Sequence, residues 1–240
     1  VMATSPEAEK LYKFLIENYG KKTISGIMAN VAWNTDEAEQ VNIWTGHYPA
    51  LNTFDYMHIR YSGENWIDYS DISPVTNWAN AGGIVSCMWH WNVPKNTDSN
   101  IDDYTATLSE TVFNAQKTTE EGTWENSIVK ADLEKVANML KKLKEAKVPV
   151  LWRPLHEAAG QFFWWGKDAE SFKALWKMMF TYFKEQGLDN LIWVWTSENK
   201  DDANWYPGDE YVDIIGRDLY GKTAEECAEE FKALTALYGD

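Results

Sequence analysis

Along this chain, apolar stretches of strand length alternate with amphipathic stretches of helix length, six strands in all after one leading helix. The expected strands cover 23–29, 49–56, 83–91, 191–196 and 212–220, with a fourth opening at Val148 and running to Arg153, His156 and Glu157. The expected helices cover 6–19, 36–44, 71–81, 127–144, 168–186 and 223–238. Ser5 and Thr223 are placed as N-caps, and Gly20, Gly46, Gly82 with Gly83, and Gly187 as stops. The stretch 92–126 reads as irregular, with a helix near Tyr104 to Phe113. In the last helix Phe231, Leu234 and Leu237 are expected to point inward. Such alternation means parallel strands joined by right-handed crossovers. That leaves two architectures, an open doubly wound sheet or a barrel. Polar residues gather at the C-terminal ends of separate strands: Asp55, His90, His156 with Glu157, Glu198 just past the fifth, then Asp218 and Tyr220. A barrel mouth is built that way, whereas an open sheet concentrates its site at one switch point. A chain of 240 residues suits one such domain.

The most informative stretch is VPVLWRPLHEAAGQFFWWG, Val148 to Gly166. An apolar strand ends in Arg153, His156 and Glu157, and four aromatics follow from Phe162 to Trp165. The plain reading is a satisfied ion pair at the edge of an aromatic core, with Arg153 paired to Glu157. The functional reading is a carboxylic acid beside a stacking platform, the pairing that sugar chemistry uses. Composition enters here: 14 Trp, 12 Tyr and 9 Phe exceed what a core of this size needs. A net charge of −15 argues against nucleic acid and anionic membranes but would not repel a neutral polymer. No apolar run approaches the length of a membrane span. No leader is visible at Val1, so the protein is either cytoplasmic or had that segment removed. Cys87 and Cys227 lie in unrelated elements and read as free thiols. No zinc spacing and no Gly-rich phosphate loop occurs, so no cofactor is called for.

Other strand-end residues carry two readings each. His90, flanked by Trp89 and Trp91, is either a packed histidine or a sugar contact. Asp218 and Tyr220 share a face and either orient a reacting carboxylate or form a structural hydrogen bond. The turn Trp205 to Asp209 reads as a rigid aromatic loop.

The segments WRPLHE and FFWWG, with MWHWN upstream and YPGDEYVDIIGRDLY downstream, resemble glycoside hydrolase family 26, the β-mannanase family. The resemblance covers most of the chain. It implies an α/β fold, a (β/α)8 TIM-type barrel of which six βα units are visible, and residues 1–240 as a single catalytic barrel domain truncated at its C-terminal end. It implies retaining endo-hydrolysis of β-1,4 bonds in mannans by a monomer, without cofactor or metal. It implies Glu157 as acid/base, His90 and His156 against the sugar, Trp91, Trp164 and Trp165 as substrate-binding rings, and Asp218 and Tyr220 holding nucleophile and sugar. His156 and Glu157 are neighbours, so the strand must end or bulge there for both to face the cleft. The family's nucleophilic Glu sits on a seventh barrel strand, which is not visible here; Glu198 follows the fifth and is not taken for it. A polysaccharide partner implies a secreted, periplasmic or cell-surface protein. The alternatives are a β-1,3-1,4-glucanase or β-1,3-xylanase of the same family, or a non-catalytic carbohydrate-binding barrel.

Overall fold

The computed structural model describes residues 3–59 and 67–239. The leading helix α1 (Pro6–Asn18) starts where Ser5 caps it, its Oγ accepting the Ala8 N–H at 3.2 Å. Then follow β1 (Gly26–Met28), α2 (Asp36–Thr45), β2 (Leu51–Asp55), α3 (Ser73–Asn80) and β3 (Ile84–Trp89). Gly46 ends α2 in the left-handed conformation, and Pro74 sits in the first turn of α3, where a missing N–H costs nothing. A short antiparallel pair, β4 (Val93–Pro94) and β5 (Tyr104–Thr105), precedes α4 (Trp124–Glu145). The chain continues through β6 (Val150–Pro154), α5 (Ala169–Glu185), β7 (Leu191–Ser197), β8 (Ile214–Arg217) and α6 (Ala224–Tyr238).

The six long strands are parallel in the order β1-β2-β3-β6-β7-β8 and curl into part of a barrel with helices outside. Alternation along each strand divides its side chains between two cores. Val150, Trp152, Leu191, Trp193 and Trp195 point outward against α4 and α5, joining Leu133, Val136, Leu140, Phe172, Trp176 and Phe183 in the larger core. Leu151, Ile192 and Val194 point inward and meet Ala8, Leu11, Tyr12 and Leu15 of α1. The Thr4 and Ser5 N–H groups donate to the Asp189 carbonyl just before β7, so α1 plugs the N-terminal end of the curled sheet. The upper inward positions, Arg153 on β6 and Thr196 on β7, are therefore left for the opposite, C-terminal end.

Two expectations fail. The stretch Tyr104 to Phe113 is not a helix. It holds β5 and a single 3-10 turn at Leu108–Glu110, and its backbone pairs with the aromatic segment: Leu108 N–H donates to the Phe162 carbonyl and Trp164 N–H to the Ala106 carbonyl. Thr105, Thr107 and Thr111 disfavour a helix here, and the Thr105 and Thr111 hydroxyls bond Glu110 and the Pro94 carbonyl instead. In α6 no residue is buried, and Phe231 and Leu237 are more than half exposed rather than inward. That helix is well capped, with Thr223 and Glu226 bonding each other's backbone, and is tied to β8 by the Arg217–Glu230 ion pair at 2.7 Å. Among the described strands, β1 and β8 each pair on one side only.

Candidate active site

The site begins where β6 stops. Pro154 ends the strand, and both Leu155 (φ 51°) and Glu157 (φ 53°) take left-handed backbone conformations. These are uncommon for residues with a Cβ and break the two-residue alternation of the strand. This break lets neighbours His156 and Glu157 serve one cleft. A 3-10 turn, Ala158–Gly160, follows, then the aromatic segment. Two glycines are needed there. A Cβ on Gly166 would lie 2.3 Å from the Ala158 carbonyl oxygen, and one on Gly160 would crowd the Phe162 ring at 3.0 Å and the Glu198 carboxyl carbon at 3.3 Å.

Arg153 does not pair with Glu157. Its Nη2 donates to both oxygens of Asp218, at 2.8 and 2.7 Å, and its Nε to Thr196 Oγ1 at 2.9 Å. Asp218 in turn lies close enough to Glu157 to influence its ionisation, and two carboxyl groups approach each other favourably only when one carries a proton. The Glu157 pKa rises to about 7: burial contributes most, then the Asp218 charge and hydrogen bonding and the Glu198 charge, while Arg153 opposes them. Glu198 stands on the other side of Gly160, one of its oxygens buried without a partner, and its pKa is also raised, first by burial and then by Asp218 and Asp202. Tyr220 is 80% exposed at the rim, near enough for Asp218 and Glu157, after burial, to raise its phenol pKa.

On the far side of the cleft His90 and His156 meet edge to face, ring centroids 4.5 Å apart, and Phe163 packs against both. His156 is buried and held neutral, its pKa brought down to about 2 by burial, then by His90 and Arg153. His90 is clamped by Asp55 at the end of β2, which contacts its ring Nδ1 and accepts its backbone N–H at 3.0 Å. Together these groups place an acid of near-neutral pKa between an Arg-held carboxylate and a pair of histidines. Such an arrangement can protonate a leaving oxygen and later take a proton from water. Among the described residues no cluster of three or more His, Cys, Asp or Glu side chains is arranged to hold a metal.

A family model described as Glycosyl hydrolase family 26 matches residues 2–240. The chain belongs to that family. It is 36% identical to a mannan endo-1,4-beta-mannosidase of Thermothelomyces thermophilus, over 97% of this chain and 48% of the relative. It is 37% identical to mannan endo-1,4-beta-mannosidase B of a Piromyces species, over 90% and 38%. The chain thus spans half or less of the length of these two curated relatives. Among solved structures it matches the GH26 domain of an endo-beta-mannanase/endo-beta-glucanase from Prevotella bryantii with a TM-score of 0.95 and 46% identity, covering 99% of this chain and 79% of that one.

Within this family-26 chain the sequence-selected residues separate into two groups. Glu157, His156, His90, Asp218 and Tyr220 gather at the C-terminal end of the sheet. Trp91, Trp164 and Trp165 do not line the cleft: all three are fully buried. Their indole N–H groups donate to Asp132, to the Trp91 carbonyl and to the His156 carbonyl, at 2.7, 2.7 and 2.9 Å. They brace the floor beneath the histidines, and a buried ring cannot stack on a sugar. The exposed ring of the segment is Phe162, 67% exposed beside Gly160 and Glu198, with Phe163 partly exposed next to it. Sequence reasoning also passed over the Asp55 clamp and the position of Glu198 beside Glu157. The signal for both was their place at strand ends.

Proposed function

We propose that this chain forms most of the catalytic barrel of a retaining endo-β-1,4-mannanase, with Glu157 as its acid/base. The observation that carries the reading is the Glu157 carboxyl, raised to about 7 beside Asp218 at the mouth of a family-26 sheet. A protonated Glu157 gives its proton to the glycosidic oxygen as a second carboxylate attacks the anomeric carbon; the C–O bond to the leaving sugar breaks and a glycosyl ester forms. Glu157, now ionised, takes a proton from water, the water oxygen attacks the same carbon, and the ester carboxylate is released. Burial and the Asp218 charge keep Glu157 protonated until substrate arrives, with Arg153 engaged by Asp218. Consumption of the second carboxylate's charge in the ester lowers the Glu157 pKa, which suits its turn as base.

The second carboxylate is assigned to a further barrel strand, its carboxyl carbon roughly 5–5.5 Å from that of Glu157. The open sides of β1 and β8, one at each edge of the curled sheet, support that assignment. Residues 1–240 then belong to a single catalytic domain completed by that strand. Phe162 serves as the stacking ring in place of Trp164 and Trp165, and Tyr220, His90 and His156 contact the bound sugars. A polymer too large to enter a cell is met outside it, so the protein acts as a secreted, periplasmic or cell-surface enzyme, and it acts as a monomer. Among the described residues no helix is long and apolar enough to cross a membrane.

In the full-length protein, Glu157→Ala is expected to slow hydrolysis of mannan by about a hundredfold or more. It should slow an aryl β-mannoside, whose leaving group needs no proton, far less. Equal losses on both would remove Glu157 from the acid role. Turnover of β-1,3-1,4-glucan or β-1,3-xylan in preference to mannan would move the enzyme elsewhere in its family, and oligosaccharide binding without any new reducing ends would make it a binding barrel.

A further inference from the structure

We propose that Asp55 is a positioning residue: it fixes the proton of the His90 ring on Nδ1, so that the neutral ring presents Nε2 to the substrate as a hydrogen-bond acceptor. The proposal rests on the mannanase reading for its functional consequence but not for its geometry. Asp55 is the last residue of β2, fully buried, paired in register with Met88 of β3. His90 lies two residues beyond Met88, so the parallel register sets the Asp55 carboxylate beside its ring. Asp55 Oδ1 accepts the N–H groups of Met57 and His90, each at 3.0 Å, and Oδ2 meets His90 Nδ1. A carboxylate only accepts, so the proton of that third contact sits on Nδ1. The backbone of Asp55 is held as well. Asp55 N–H donates to the Ala32 carbonyl at 2.8 Å, and its own carbonyl accepts the Tyr69 hydroxyl at 2.6 Å. The His90 side chain is 26% exposed, with its ring edge-on to His156. The ring edge away from Asp55 is therefore what it offers a ligand, and an acceptor there selects a sugar hydroxyl that donates.

Two measurements on the full-length protein test this. Nitrogen NMR of 15N-histidine-labelled protein, at a pH where His90 is neutral, should give a protonated Nδ1 and an unprotonated Nε2; the reverse tautomer would overturn the proposal. This arm needs no catalysis, so a protein that fails to cleave mannan would defeat the mannanase reading alone. The second arm is Asp55→Asn, which keeps the shape but turns an amide N–H toward Nδ1 and drives the proton to Nε2. Its kcat/KM on a mannooligosaccharide should fall about tenfold, the worth of one hydrogen bond to the substrate. Added to His90→Ala it should cause no further loss, because it acts through that ring. An unchanged kcat/KM in a folded Asp55→Asn protein, or losses that multiply in the double variant, would contradict the assignment. If Asp55→Asn does not fold, the tautomer measured in the unaltered protein decides.

Discussion

At the scale of single residues, the site turns on two carboxyl groups with different partners. Asp218 is held by Arg153 through both oxygens; Glu157 has no cation of its own and retains its proton into the neutral range. The alkaline limb of kcat/KM against pH should therefore report Glu157. Asp218→Asn removes the negative charge beside it and frees Arg153, and both changes favour the ionised form. The Glu157 pKa falls and the limb moves to lower pH. A limb that stays in place or moves upward would show that Asp218 does not set it. The residues of this constellation were legible in the sequence because charged and titratable groups stand out at the end of an apolar strand. Their pairing was not. Arg153 and Glu157 look like partners on one strand face, but the left-handed turn at Leu155 and Glu157 takes the glutamate off that face, and Asp218, two strands away in the sheet, takes the arginine.

Among the elements, the aromatic segment 162–166 shows what a sequence cannot rank. Four adjacent rings carry no mark of which faces solvent. The choice is made by tertiary contacts: the backbone of 106–108 pins the segment through Phe162 and Trp164, and carbonyl groups of Trp91 and His156 accept the two indole N–H groups. The same pairing explains why the stretch after Tyr104 is extended. The rings should separate cleanly under mutation. Phe162→Ala should leave thermal stability nearly unchanged and weaken oligosaccharide binding about fivefold or more, the worth of one stacked ring. Trp165→Ala should cost about 3–5 kcal/mol in denaturant unfolding, as for other buried aromatics. Loss of affinity in Trp165→Ala with full stability would return it to the role of platform. Helices α4 and α5 were legible because a wide apolar stripe faces a sheet on one side only. Helix α6 carries a similar stripe, in Phe231 and Leu237, yet in this structure both are more than half exposed and no residue of the helix is buried. Periodicity reports which residues share a face and is silent on what that face meets.

At the scale of the whole molecule, the alternation of strands and helices was enough to name a barrel, since polar strand ends on separate strands leave little else. Six parallel strands with α1 plugging one end form a curled, partial barrel, in which, among the described residues, β1 and β8 each pair on one side only. Those edges and the apolar stripe of α6 are the places where further strands and helices of a family-26 barrel would dock, and one of those strands is where the account places the nucleophile. The net charge of −15 fits a neutral polymer as ligand. The central claim, double displacement with Glu157 acting first as acid and then as base, has a stereochemical consequence that no binding protein and no inverting enzyme shares. Proton NMR of a mannooligosaccharide during its first minutes of hydrolysis by the full-length protein, before mutarotation, measures it. New reducing ends should appear as the β-anomer and pass to α only later. Initial release of the α-anomer would mean inversion, with a carboxyl separation of roughly 6.5–9.5 Å and water in place of the glycosyl ester, and would contradict double displacement.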